Sequence, residues 1–237
     1  MKKTNVLLFI SALLMFGLFI TGCSKDKATV PVSVFRTKAE AKAIHDNKSG
    51  GIYKGVLIGS SGIVRIVLQD GLMQVIMTVD GVTRTLSTTA LSTWTSGQLI
   101  QNVTFDNGNW SASFSVAADG SNPQLIPNIP GHLNMIIAVV KESSAHLIKL
   151  YEGSFSGPGI TSPQNRWNFI SNDSLVYGIR SDGSGGVEDV NGTQTGNAVS
   201  GDAGSGVSFS GTFFGKNVTG IWQDNSDNGT WVGVRKL

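Results

Sequence analysis

The sequence predicts an all-β protein in which an antiparallel meander forms a barrel or a barrel-like sandwich. From residue 51 onward, short runs rich in β-branched residues alternate with turn signals. Asp-Gly and Asn-Gly pairs recur at 70–71, 80–81, 107–108, 119–120, 182–183 and 228–229. Such pairs adopt the positive φ angles that a tight hairpin turn requires, so each one predicts two neighbouring strands.

One short helix is expected before the strands. Residues 37–46 read TKAEAKAIHD, in which Thr37 and Glu40 have the spacing of a capping box and three alanines favour helix. The glycines at 50 and 51 then end it. We therefore predict a helix over residues 38–46.

The clearest strands are GIVRIVLQ at 62–69 and LMQVIMTV at 72–79, on either side of the first Asp-Gly pair. Their alternate residues place Val64, Ile66 and Leu68 on one face, which is the pattern of a strand with one buried side. Further strands are expected at 51–59, 99–105, 109–117, 132–141, 148–156, 166–171, 174–181, 207–214, 216–223 and 229–236.

A glycine-rich stretch at residues 181–208 interrupts this pattern. It holds eight of the thirty glycines and almost no large apolar residue. Ordering a glycine costs more backbone entropy than ordering any other residue, and glycine buries no side chain in return. We therefore predict a long, mobile and exposed loop or a frayed hairpin here, with most of the stretch outside the paired strands.

The β domain, residues 51–237, also contains an internal similarity. GIYKGVLIG at 51–59 resembles KLYEGSFSG at 149–157 at a constant offset of 98 residues. Either the domain consists of two duplicated halves, 51–147 and 148–237, or the match is a short pattern that recurs by chance in glycine-rich β proteins.

The first 22 residues have the organisation of a bacterial signal peptide. Two lysines precede an apolar run at 5–20, which suits a secretory signal and is shorter than the roughly 20 residues of a membrane span. The run ends in ITGC, which resembles the lipobox of bacterial lipoproteins. The resemblance implies that residues 1–22 are removed, that Cys23 is acylated, and that residues 23–50 comprise a tether and the short helix. An ordinary signal peptide with an incidental cysteine is the alternative.

The resemblance places the protein in the cell envelope, at the outer membrane of a Gram-negative bacterium, with the membrane as its partner through the lipid anchor. Its glycine-rich strands are similar in style to those of many bacterial β-barrel lipoproteins.

Without the two signal-peptide lysines, the chain has 16 basic and 16 acidic residues. This balance does not favour nucleic acid as a partner. No thiol is left for a disulfide or a Cys-ligated metal, and we expect no cofactor.

The strongest candidate for a metal site is DNSDNG at 224–229, which approaches the start of an EF-hand calcium loop. Asp224 and Asp227 would supply the carboxylates. However, Arg235 stands where the bidentate Glu should be, and both flanks are predicted strands rather than helices. A hairpin loop accounts for every residue of the segment without a metal.

No motif identifies a catalytic residue. His45, His132 and His146 lack the spacing of a zinc pair, and the chain lacks both the Gly-x-Ser-x-Gly elbow and the P-loop lysine. A pair of catalytic carboxylates that come together only in the folded protein would not show in the sequence spacing.

Two residues are candidates for other sites. Trp94 lies outside the predicted strands, where it would contact a ligand or anchor its loop. Ser174, in Asp-Ser-Leu, resembles the O-glycosylation sequon of some Gram-negative envelope proteins, although the same residues also suit the start of a strand.

Three functions remain open: a lipid-anchored module that binds an envelope protein or a small ligand, a structural envelope lipoprotein without a small ligand, and a hydrolase of envelope polymers. A hollow interior would favour the first, a filled interior the second, and carboxylates clustered in a cleft the third.

Overall fold

The computed structural model describes residues 35–158, 160, 165–181 and 186–237. The expected signal peptide, the lipobox and Cys23 lie outside this range. The described chain contains sixteen antiparallel strands and one 3-10 turn, which confirms the all-β prediction. None of its helical segments is long and apolar enough to cross a membrane.

The first eight strands form one sheet. They are β1 (Gly51–Ile58), β2 (Gly62–Gln69), β3 (Leu72–Val79), β4 (Val82–Ser87), β5 (Ile100–Asp106), β6 (Ser111–Val116), β7 (Gln124–Asn128) and β8 (Ile136–Glu142). Their order is β7-β6-β5-β4-β3-β2-β1-β8. The sheet curls until β7 and β8 lie side by side, but no hydrogen-bonded ladder joins these two strands.

The last eight strands form a closed barrel. They are β9 (Lys149–Ser156), β10 (Arg166–Ser171), β11 (Leu175–Ser181), β12 (Val187–Thr195), β13 (Ala198–Asp202), β14 (Ser208–Phe214), β15 (Asn217–Gln223) and β16 (Asn228–Arg235). Strand β16 pairs with β9 and completes the ring. This sheet, unlike the first, has no open edge.

Two of the Asp-Gly pairs form the tight turns that the sequence predicted, whereas Asn228-Gly229 begins strand β16 instead of forming a turn, and Asp182-Gly183 lies outside the described residues. Asp70 and Gly71 have φ angles of 58° and 75°, and Asp80 and Gly81 have φ angles of 47° and 81°. The strands on either side of Asp70 have the predicted bounds, residues 62–69 and 72–79.

The predicted helix over residues 38–46 is reduced to a 3-10 turn at Ala43–His45. Lys42, immediately before it, is extended, with φ −94° and ψ 140°. The reason is ionic, because the Glu40 carboxylate lies 3.1 Å from Lys54 Nζ and 2.9 Å from Arg65 Nη2. These contacts bind Glu40 to strands β1 and β2 of the first sheet, so this segment packs against the sheet instead of forming a helix.

The prediction of a loop over residues 181–208 is wrong. Strands β12 and β13 run through this stretch, although residues 182–185 lie outside the described part. The glycines that argued against strands are needed inside the barrel. A Cβ on Gly192 would lie 2.9 Å from the Phe209 ring, and one on Gly201 would lie 2.1 Å from the Asn191 carbonyl oxygen. The backbone hydrogen bonds of a closed barrel offset the entropy cost.

The two similar segments occupy corresponding positions, since β1 and β9 are the first strands of their sheets. Tyr53 and Tyr151 both contribute to the interior of their sheet. Duplication of the two halves stays a prediction.

The two sheets pack through strand β1, all of whose residues are buried. Its outward-facing Val56 and Ile58 join an apolar cluster with Leu150 and Ile170 of the barrel. Asn168 adds a polar link, because its amide nitrogen donates to the Leu57 carbonyl at 2.6 Å while its amide oxygen accepts from the Gly153 N–H at 3.0 Å.

Candidate functional site

Side chains occupy the interiors of both sheets. Nineteen buried apolar residues fill the first, and fourteen fill the second. In the barrel, the rings of Trp167 and Trp231 stack at 5.6 Å, and those of Tyr151 and Phe169 stack at 4.9 Å. A binding site is therefore to be sought on the outer surface.

The most suitable outer feature is a groove of about 740 Å³ between strands β7 and β8, which we call the seam groove. One wall is formed by residues 122–127, the other by residues 135–140, and Tyr177 of the barrel adds a further contact. The volume lies within the range of ordinary ligand sites.

None of the described residues that line the seam groove is charged. Ile126 and Ile136 retain 63% and 45% of their exposure, so large apolar side chains face solvent on both walls. Pro127 removes one N–H from the β7 edge, which is a common way of limiting uncontrolled strand pairing. The other edge groups of β7 and β8 are not paired across the groove among the described residues. The groove thus combines apolar side chains with backbone donors and acceptors.

A second cleft, of about 700 Å³, is lined by Ser60 and Asp80, and Ser60 also contacts His132, so a serine, an aspartate and a histidine that are far apart in the sequence meet beside it. Ser60 Oγ lies 2.8 Å from Asp80 Oδ2 and 2.8 Å from His132 Nδ1. Asp80 Oδ1 accepts the backbone N–H of Ser61 at 2.9 Å.

This cluster has the residue types of a hydrolase but not the arrangement. The Ser60 hydroxyl donates to Asp80, and hydrogen bonds from the Ser61 backbone and the Ser60 hydroxyl lower the pKa of Asp80, which makes this carboxylate a poor base. Asp80 also approaches the same imidazole nitrogen that contacts the serine, at 3.8 Å, whereas in a catalytic triad it would hold the opposite nitrogen. We interpret the cluster as a cap that joins three turns.

Sequence reasoning missed both features for the same reason. Ser60, Asp80 and His132 lie on separate turns, and no spacing rule connects them. The seam groove depends on two strands that fail to pair, which local patterns do not reveal.

Residues 224–227 form the turn between β15 and β16, and Asn228 and Gly229 are the first residues of β16. Asp224 Oδ1 accepts the N–H groups of Ser226 and Asp227 at 2.8 and 2.6 Å, and these hydrogen bonds lower the pKa of Asp224. The Asp224 carboxylate therefore forms hydrogen bonds within its own turn. Within the described chain, no group of three or more His, Cys, Asp or Glu side chains could hold a metal ion.

The structure separates the two other candidates from the seam groove, since neither lines it. Trp94 packs against the first interior, and its Nε1 donates to the Gln98 carbonyl at 3.2 Å. Ser174 is exposed in the turn before β11, and its carbonyl accepts the Gln194 N–H at 2.7 Å.

No protein-family model matches the chain, and no curated protein matches it. The geometry and chemistry of the seam groove are therefore the main indication of function.

Proposed function

We propose that this protein is a lipid-anchored module of the bacterial cell envelope that binds an extended segment of a partner protein in the seam groove. One observation carries the proposal, namely the uncharged groove between two strand edges that do not pair with each other. An extended polypeptide is the ligand whose backbone matches such edges, and its apolar side chains match Ile126 and Ile136.

The filled interiors argue against a small ligand held inside either sheet. The cap formed by Ser60, Asp80 and His132 argues against a serine hydrolase, because the serine proton is directed to a weak base. By the criterion given with the sequence, filled interiors favour an envelope protein without a small ligand, and the outer groove adds a surface on which such a protein would bind a partner protein.

The anchor is tested by Cys23→Ser in the full chain, with Ser24→Ala as the matched control. A single acyl chain binds membranes only marginally, whereas several hold firmly, so loss of the acylated cysteine should give a soluble or unprocessed protein. Membrane fractionation and the mass of the mature chain report the result. If the Cys23→Ser protein is cleaved and still sediments with membranes, the anchor proposal fails.

The groove is tested with a photoreactive amino acid at Ile126 in cells that produce the full chain. Val82 is the matched control, because it is an exposed apolar strand residue on β4, outside the seam groove. We expect a defined cross-linked protein from position 126 and none from position 82. Ile136→Lys should abolish that product, because it places a charge in an uncharged groove. Equal products from both positions, or persistence in Ile136→Lys, would contradict the proposal.

A further inference from the structure

The two ends of the barrel differ in what they present to solvent. We call "near end" the end formed by the turns at 172–174, 196–197 and 215–216 together with the last residues of β16. The opposite end, with the turns at 203–207 and 224–227, is the "far end". The described chain reaches the barrel at the near end, where Arg235 Nη2 donates to the Arg36 carbonyl at 2.8 Å.

Charge is distributed unequally between these ends. The described cations at the near end are Arg36, Lys149, Lys216, Arg235 and Lys236, against the anions Glu40, Glu152 and Asp173. The described anions toward the far end are Glu188, Asp189, Asp202, Asp224 and Asp227, against the cations Arg166 and Arg180. The near end is therefore basic and the far end acidic.

The near end also carries the most exposed aromatic residue of the barrel. Phe214, the last residue of β14, retains 81% of its exposure and is followed by Gly215 and the exposed Lys216. Along the register, Phe214 pairs with Asn217, which pairs with the half-exposed Val234. An exposed aromatic ring beside lysines is the combination that favours the interface of an anionic bilayer.

We propose that the near end of the barrel rests on an anionic lipid bilayer, with Phe214 in the interface and Lys216 at the headgroups. The inference rests on the proposed lipid anchor, because Cys23 precedes Arg36 by 13 residues and an extended chain of that length reaches at most about 45 Å. In this orientation the acidic far end points away from the negative surface.

Not every near-end cation is equally available to lipid. Arg36 pairs with Glu40 at 2.9 Å, Lys236 pairs with Glu152 at 2.8 Å, and Lys149 pairs with Asp173 at 2.5 Å. Lys216 forms no ion pair with another described residue. A basic residue near an anionic surface strengthens binding about fivefold, or about 1 kcal/mol, so Lys216 should dominate the electrostatic contribution.

The test uses the chain from Cys23 onward, which retains every described residue and has a single thiol. That thiol is coupled to a maleimide lipid in vesicles of equal parts phosphatidylcholine and phosphatidylglycerol. A photoreactive amino acid replaces either Asn217 at the near end or Asn225 at the far end, both of which are exposed. Mass spectrometry of the cross-linked protein then measures how often each position contacts lipid.

We expect position 217 to form lipid adducts several-fold more often than position 225. Lys216→Glu should lower the yield at 217 about fivefold or more, whereas Arg84→Glu, on the exposed strand β4, should not. Phe214→Ser should also lower it, while Leu99→Ser, which removes another exposed apolar side chain, should leave it unchanged. Each variant is first shown to unfold at the same urea concentration as the unsubstituted chain.

Equal yields at the two positions, a higher yield at 225, or no effect of Lys216→Glu would overturn the inference. Adducts from 217 to a second copy of the chain instead of lipid would also overturn it, in favour of self-association. Because chemical coupling replaces acylation, these outcomes are independent of the Cys23→Ser experiment. The anchor proposal and the contact surface can therefore fail separately.

Discussion

Replacement of Glu142 by Gln should strongly destabilise the fold, because this carboxylate holds a fully buried network. Glu142 and Lys54 are both 0% exposed, and Glu142 Oε1 lies 2.6 Å from Lys54 Nζ. The same carboxylate accepts the backbone N–H groups of Ile148 at 2.9 Å, Glu40 at 2.8 Å and Ala41 at 3.2 Å. It thereby fixes the segment before β1 to the end of β8.

The loss of unfolding free energy can be estimated from the interactions of the Glu142 carboxylate that a Gln amide cannot form. One carboxylate oxygen becomes an NH₂ group, so buried donors lose their acceptor at about 1–3 kcal/mol each. Lys54 loses its nearest counter-charge and keeps only Glu40, at 3.1 Å. Breaking a buried ion pair from one side costs about 3–5 kcal/mol, and we expect Glu142→Gln to fall in this range.

Urea unfolding of the chain from Ser24 onward measures the loss, with Asp70→Asn as the matched control. Asp70 also pairs with a lysine, Lys42, but both side chains are about half exposed, so its loss should cost less than about 1 kcal/mol. Lys54→Met should cost a similar amount to Glu142→Gln, and the double variant should cost less than the sum. If Glu142→Gln lies within about 1 kcal/mol of the unsubstituted chain, the network does not hold the fold as argued.

Three further outcomes are expected. Burial alone would raise the pKa of Glu40, but Lys54 and Arg65 hold it below the ordinary value of 4.5. The contribution of Glu40 to the unfolding free energy is therefore fully present above pH 4.5 and is lost as the pH falls below that value. Glu40→Gln should flatten this acid dependence in urea titrations. Gly201→Ala should lower the unfolding free energy by about 1–3 kcal/mol, because the new Cβ would lie 2.1 Å from the Asn191 carbonyl oxygen. Ser200→Ala, on the outer face, should leave the stability unchanged. If thermal melts show no destabilisation by Gly201→Ala, the β12–β13 pairing is contradicted. Calcium or a chelator should leave the melting temperature unchanged, because the Asp224 carboxylate is engaged in its own turn, and a shift of several degrees at millimolar calcium would instead show a metal site.

Local patterns predicted those parts of the fold that local chemistry determines. Asp70-Gly71 and Asp80-Gly81 form turns because these residue types tolerate positive φ, whatever surrounds them. The strands beside them follow from alternation of buried and exposed residues. Strand β4 was not predicted because residues 82–87 are mostly exposed and polar, so they lack that alternation.

Features that depend on distant residues could not be predicted in this way. The sequence of residues 38–46 favours a helix, but Glu40 is held by Lys54 and Arg65, which lie on two different strands. Gly192 and Gly201 weaken strands in isolation, yet a closed barrel needs them where neighbouring backbones approach closely. The seam groove arises from the absence of pairing between β7 and β8, and each strand by itself gives no sign of it.

The stacked indoles of the barrel should give it a near-ultraviolet circular-dichroism signal that the first sheet does not share. Trp167 and Trp231 lie nearly parallel, at an interplanar angle of 12°, and are held rigidly in the interior. Indoles held this close in a fixed, buried arrangement contribute to the near-ultraviolet circular dichroism, and that contribution is lost when their specific packing is lost. The first sheet has only Trp94 and Trp110, both partly buried at the edge of its interior. The part of the near-ultraviolet signal that Trp167→Phe removes therefore reports formation of the barrel, and its appearance during refolding would time the arrival of β16 in the barrel separately from the folding of the first sheet.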